Sequence, residues 1–153
     1  MNRGIVTAFA SIGLAQFLKV PLTKIRTGKW DWSLIFSTGG MPSSHSAGVA
    51  SLASYIAMKR GIPTIDFALS TIFGLIVMYD AQGVRRQTGE LSVVVNDLHE
   101  EIERMEGLNG AANRHEQKEE KIKESLGHQP EEVVGGALLG TAMGVLSYLL
   151  QKK

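Results

Sequence analysis

The chain has 153 residues, no cysteine and a formal net charge of +1. That length bounds it at one domain. The missing thiols exclude disulfides, cysteine nucleophiles and thiolate metal sites, and the near-neutral balance gives no electrostatic case for nucleic acid. The mean hydropathy of +0.03 conceals a sharp partition between apolar and charged stretches.

In chain order, residues 5–18 carry no charge and predict a first apolar helix ending near Leu18, with Pro21 punctuating the charged connection 19–31. Residues 37–42 are incompatible with regular helix and read as a loop that delivers Ser43, Ser44 and His45 to a second apolar helix, 46–58. Gly61-Ile62-Pro63 is a tight connection to a third, 65–79, whose one charge is Asp66. The polar stretch 80–89 breaks the apolar run. Leu91, Val94, Val95, Leu98, Ile102 and Met105 then recur at helical spacing among Asp97, Glu100, Glu101 and Glu103, which predicts an amphipathic helix outside the bilayer. Residues 107–113 read as a turn and 114–125 as a further charged helix. Gly127 is placed as a helix stop, and Pro130 suits the first turn of a last apolar helix, 133–150.

Four apolar stretches separated by charged connections predict an all-α fold: a polytopic membrane bundle of about four short transmembrane helices, with a charged helical insertion (about 80–132) before the last. The stretches fall short of the roughly 20 residues a bilayer core usually asks for. They are rich in glycine and alanine, and Gly136, Gly140 and Gly144 have the four-residue spacing that lets membrane helices approach closely. A soluble bundle of four buried helices is the alternative. No A-x-A-like cleavage site follows the first stretch, so it reads as a retained helix rather than a signal peptide. Eleven of the sixteen basic residues lie on the connections 19–31 and 80–132. By the positive-inside rule these loops face the cytoplasm and both termini lie outside.

His45 and His128 each stand at the mouth of an apolar stretch. Two imidazoles meeting at one membrane-surface site suit phosphoryl transfer through a covalent phosphohistidine: one attacks phosphorus, and the other protonates the departing oxygen. Read singly, each is equally a cap or a surface residue. Lys19 and Arg26 are equally interfacial side chains that snorkel. Arg85 and Arg86 double as orientation signals, Asp80 and Asn96 read as helix caps, with lining the site or binding a cation as the alternative, and His99 and His115 as solvated. The charge run 97–132 reads as a solvated cap over the site or a partner-docking surface. No P-loop, paired zinc ligands or Rossmann glycine pattern is present.

Taken together, Lys19-x6-Arg26, Pro42-Ser43-Ser44-His45, and His128 followed by Glu132, Gly136 and Gly140 resemble, in order, the three motifs of the type 2 phosphatidic acid phosphatase and vanadium haloperoxidase superfamily. The strings Gly-Gly-Met-Pro-Ser-Ser-His-Ser, Tyr-Asp-Ala-Gln-Gly-Val-Arg-Arg and Leu-Gly-His-Gln-Pro-Glu-Glu-Val are most similar to its divergent, small bacterial branch, the YuiD-like proteins. The resemblance implies that His128 is the nucleophile, that Glu132 orients it, and that His45 is the general acid. Lys19 and Arg26 would hold phosphate oxygens, Ser43 would donate a hydrogen bond, and amides near Ser44 would add donors at a helix N-terminus. Three positions depart from the motifs: Thr27 stands for a proline, Glu132 for an aspartate, and Lys121-Ile122 for a Ser-Arg pair. Arg85 or Arg86, with Arg85 preferred, is expected to replace the lost guanidinium, which a lysine does not duplicate.

The function so implied is a phosphatase that needs no metal or cofactor and acts on a phosphorylated membrane lipid. Candidate substrates are phosphatidic acid, phosphatidylglycerophosphate and an isoprenyl pyrophosphate; vanadate would occupy the phosphate position as a mimic. The alternatives are a non-catalytic phospholipid-binding or transport protein on the same scaffold, and a membrane scaffold whose charged loop recruits a protein partner. A homo-oligomer is compatible with either.

Overall fold

The structure, a computed structural model, describes residues 2–37, 39–108 and 127–151. Its described residues are helical throughout, without strands: α1 (Arg3–Thr27), a 3-10 turn (Trp32–Phe36), α2 (Ser44–Arg60), α3 (Ile65–Gln82), α4 (Val84–Leu108) and α5 (Pro130–Gln151). The helix expected over 114–125, the later part of the turn at 107–113, His115 and the Lys121-Ile122 pair lie outside the described residues.

Two boundaries differ from expectation. α1 does not stop at Leu18 but runs on through Pro21 to Thr27, where Gly28 closes it in the left-handed conformation at φ 75°. A proline leaves one carbonyl of the preceding turn without its usual donor, yet the flanking Ile12–Lys19 face and the charged turn beyond it stay one rod. α4 begins at Val84, seven residues before the expected start. Gly83 interrupts the helix at φ −93°, ψ −81°, but Gly83 N still donates to Tyr79 O and Gln87 N to Gly83 O. The polar stretch 80–89 therefore bends the rod without opening a loop. Outside lipid its charges suit a helix, and Arg86 pairs with Glu90 one turn on at 2.9 Å.

The bundle packs small residues inward. Its core is Ala15, Val20, Ala47, Ala50, Tyr55, Ala81 and Val133, with Thr7, Ser11, Ser46 and Ser51 buried beside them. Large apolar side chains point outward: Phe9 and Phe17 on α1, Ile72, Phe73 and Ile76 on α3, Leu138 and Leu146 on α5. In water this arrangement would expose far more contiguous apolar surface than a monomer tolerates. In lipid it is the favourable one, because the bilayer solvates large side chains while small ones let helices approach. Two of the buried hydroxyls are satisfied locally: Ser11 Oγ donates to Thr7 O and Ser51 Oγ to Gly48 O, both at 2.8 Å.

This is an all-α membrane bundle. α1, α3 continuing into α4, and α5 are long and apolar enough to cross a bilayer. The fourth helix, α2, has 17 residues and is rich in serine, alanine and glycine. It is enclosed by α1, α3 and α5, so its surroundings are mostly protein rather than lipid.

The α2–α5 contact is the tightest. A Cβ on Gly136, Gly140 or Gly144 would collide with the carbonyl oxygen of Ser43, Ala47 or Ser51 respectively. Three glycines one turn apart thus seat on three α2 residues one turn apart. This close approach fixes α5, and with it Glu132, against the N-terminus of α2. At the far end, Thr7 and Ser147 share a hydrogen bond of 2.6 Å, and Tyr55 donates to Gln151. Both termini of the described chain therefore lie at the end opposite His45 and His128.

Candidate active site

Three separate chain segments converge at one end of the bundle. The first is the loop 39–43. Ser43 caps α2: its Oγ accepts from Ser46 N at 3.3 Å and from Ser46 Oγ at 3.1 Å, while its own amide donates to Glu132 O at 2.9 Å. Ala47 N takes Ser43 O. Among the described residues this leaves the first-turn amides of Ser44 and His45 for a ligand, at the positive end of the helix dipole. Ser43 is thus structural at its amide and its acceptor lone pairs, and its hydroxyl proton is what it has to offer an anion. The Met41–Pro42 peptide is cis, and Gly40 takes φ 92°, a conformation open to glycine.

The second segment is 127–132. His128 is 1% exposed, and its Nδ1 lies 2.9 Å from Glu132 Oε2. A carboxylate only accepts, so Nδ1 carries a hydrogen, and in the neutral ring Nε2 then has the lone pair. Nε2 is buried and without a hydrogen-bond partner, as is Nδ1 of His45. Glu132 is held in turn by the Gln129 amide, 3.2 Å from Oε2. The substitution of glutamate for aspartate is thus accommodated within one helical turn. The backbone of His128 donates to Ala81 O at 3.0 Å. A Cβ on Gly127 would strike the backbone nitrogen of Arg86. Gly127 therefore lets the segment lie directly on the α3–α4 junction and seats His128. Sequence reading made it a helix stop and missed that contact.

The third contributor is Lys19, also 1% exposed. Its Nζ donates to Ser37 O at 3.1 Å, and Gly40 lies against its stem, where a Cβ would fall 3.7 Å from Lys19 Cδ. The Lys19 charge is felt at both Glu132 and His45. Because α1 continues unbroken, Arg26 stands seven residues further along the rod, about 10 Å beyond Lys19, and is exposed.

His45 and His128 meet edge to face with ring centroids 5.7 Å apart. His45 precedes the apolar run 46–58, and its pKa is lowered. Burial is the main cause; the charges of His128, Arg85 and Lys19 add to it, and Asp80 opposes them. Arg85 is thus close enough to act on the site electrostatically. It is held by Asp80 at 2.8 Å, both side chains being exposed. Arg86 instead pairs with Glu90. Asp80 is therefore an ion-pair partner and not a helix cap, and Asn96 is a buried residue in the middle of α4 and not a cap either. Among the described residues no group of three or more His, Asp or Glu is arranged to hold a metal ion.

The site thus gathers His45, His128, Glu132, Ser43, Ser44 and Lys19, with Arg85 at its edge, and leaves out Arg26 and Arg86. Sequence reasoning missed Ser37, whose carbonyl anchors Lys19, and Ala81, whose carbonyl anchors His128. Neither backbone role has a side-chain signal.

A membrane bundle with a paired-histidine site at one end defines the class, and comparison with known proteins gives the family. Residues 1–143 match the divergent PAP2 family, and the chain belongs to it. It is similar to the uncharacterized membrane protein YuiD of Bacillus subtilis (strain 168), with 44% identity over 150 residues, covering 96% of this chain and 95% of that one. No solved structure matches it.

Proposed function

We propose that the protein is a membrane phosphatase that hydrolyses a lipid phosphate or pyrophosphate through a phosphohistidine. The observation that carries this reading is the Glu132–His128 pair, which fixes the tautomer and leaves a buried, unpartnered Nε2 beside His45. In the first step His128 Nε2 forms a bond to phosphorus as the bond to the alkoxide or phosphate leaving group breaks. A proton on His45 passes to that oxygen, and the imidazolium formed at His128 is stabilised by Glu132. In the second step water attacks the phosphohistidine, His45 takes its proton, and inorganic phosphate leaves. Lys19, the Ser44 and His45 amides and the Ser43 hydroxyl supply donors for the charge on the equatorial oxygens.

A site at the end of a bundle whose outer surface is apolar suits an amphiphile, whose tail stays in lipid while its headgroup reaches the histidines. The phosphatidic acid, phosphatidylglycerophosphate and isoprenyl pyrophosphate classes all have this form. The concentration of basic residues at this end supports a cytoplasmic placement.

A second reading is binding or transport of a phospholipid without cleavage. The engagement of Arg85 by Asp80 favours it, because the guanidinium is partly neutralised before any phosphate arrives.

The deciding experiment is phosphate release by detergent-purified protein from a panel of lipid phosphates and pyrophosphates. Release by wild type, abolished in His128→Ala and lowered about 10²–10⁴-fold in His45→Asn, is the expected result. Release that survives His128→Ala would sink the phosphohistidine step. No release by well-folded wild type would leave the binding reading.

A further inference from the structure

Both tryptophans of the chain, Trp30 and Trp32, lie in the connection between α1 and α2. Their rings stack with centroids 5.8 Å apart and planes 7° apart, and Lys24 Nζ sits 4.1 Å over the Trp30 ring. The pair is more than half exposed, and Ile25 and Phe36 beside it are exposed by 80% and 90%. Lys24, Arg26 and Lys29 are the basic residues of this stretch, against one acid, Asp31, which is exposed and accepts from the amide and hydroxyl of Ser33. The 3-10 turn that carries Trp32 and Phe36 packs on α1 and on no other described helix. Stacked indoles under a fringe of cations are thus left facing outward.

What covers them follows from placement and charge. The segment follows α1, whose exposed apolar side chains include Phe9, Phe17 and Ile25, directly after the helix's last turn with its Lys24 and Arg26. Amphipathic indoles and basic side chains are the groups that settle at the boundary between acyl chains and headgroups. Cations there are drawn to anionic lipid.

We propose that residues 24–36 form an interfacial anchor seated in the headgroup layer of an anionic phospholipid bilayer. The Trp30–Trp32 pair lies at the hydrocarbon boundary, with Lys24, Arg26 and Lys29 on lipid phosphates. This gives Arg26, which the bundle keeps away from the histidines, a bilayer partner. The anchor is fastened to the site: Ser37 O, just past Phe36, accepts from Lys19 Nζ at 3.1 Å and from Gln16 Nε2 at 3.4 Å. Seating the anchor therefore sets the depth at which the site loop meets lipid, whether or not the site is catalytic.

Because no other tryptophan exists, the intrinsic fluorescence of the full chain reports this segment alone. The protein is placed in nanodiscs with a tryptophan-free belt protein, of phosphatidylcholine with and without phosphatidylglycerol, made with lipids brominated either near the headgroup or near the chain end. Expected are stronger quenching by the shallow bromines than by the deep ones, protection from aqueous acrylamide, and a gain in shallow quenching when phosphatidylglycerol is present. That gain should be lost in Lys24→Gln/Lys29→Gln. Emission open to acrylamide and indifferent to brominated lipid would place the segment in water and overturn the proposal. Protection from both quenchers would place it against protein, a second copy included, and would overturn it too. Equal quenching by deep and shallow bromines, or no response to phosphatidylglycerol, would remove the anionic headgroup layer as its partner.

Discussion

Gly140 is where the architecture can be tested without knowing the substrate. A Cβ there would sit 2.9 Å from both the carbonyl carbon and the Cα of Ala47, and closer still to its oxygen. Carbon atoms rest at about 3.5–4.0 Å, so α5 and α2 would have to separate by roughly 0.5–1 Å. The obstruction is backbone, which cannot rotate away, and overpacking of this kind costs about 1–3 kcal/mol. Alanine regains up to about 1 kcal/mol of helix propensity, leaving Gly140→Ala destabilised by up to about 2 kcal/mol. In a chain of this size that lowers Tm by up to about 8 °C. Gly13 is the control: it is helical, and its Cβ would meet nothing within 4 Å. Gly13→Ala should therefore gain propensity alone and raise Tm by about 2–4 °C. Thermal unfolding of both variants in mild detergent, followed by circular dichroism, compares the two signs. If both substitutions raise Tm alike, propensity governs and α5 does not approach α2 this closely.

Other tests address the site. His45 has its pKa lowered by burial and neighbouring cations; a bound anion supplies countercharge and should raise it, so binding takes up a proton. Sulfate, whose charge is constant over the window, should bind more tightly as pH falls towards the ordinary histidine range, with the slope lost in His45→Asn; a pH-independent affinity in wild type would refute this. Lys19→Met should weaken sulfate binding tenfold or more, the loss of a charge-assisted hydrogen bond being worth about 1.5–3 kcal/mol, whereas Arg26→Gln should leave it nearly unchanged in detergent. Gly127→Ala should unseat His128 by pushing the segment off the Arg86 backbone. It should abolish sulfate binding while the α2–α5 contact keeps Tm close to wild type, and retained binding would show that the segment has room to spare.

Much of this was legible in residue order. Alternation of apolar and charged stretches gave the bundle, because lipid accepts long uncharged helices and rejects charges. The four-residue glycine spacing marked a helix contact, since one face recurs about every turn. His128 and Glu132, four apart, had to share a face. Sequence could not say that the glycines face Ser43, Ala47 and Ser51, because nothing local to α5 names its partner. Nor could it stop α1 correctly: the charged turn after Leu18 looked like a connection, yet a helix that has left the hydrocarbon can carry charge freely.

Residue order by itself determined the chemistry available, two histidines, a carboxylate and a lysine at helix mouths, and the membrane as solvent. Tertiary structure decided which of the cations serve the site. Lys19 is buried beside Glu132 while Arg26, on the same unbroken helix, is carried about 10 Å away. Arg85 lies within electrostatic reach of His45 while Arg86 turns to Glu90. A motif fixes spacing along the chain, but distance in space depends on where helices end and how closely they pack. In this bundle those were set by a rod that ran through its proline and by glycines that let backbones touch.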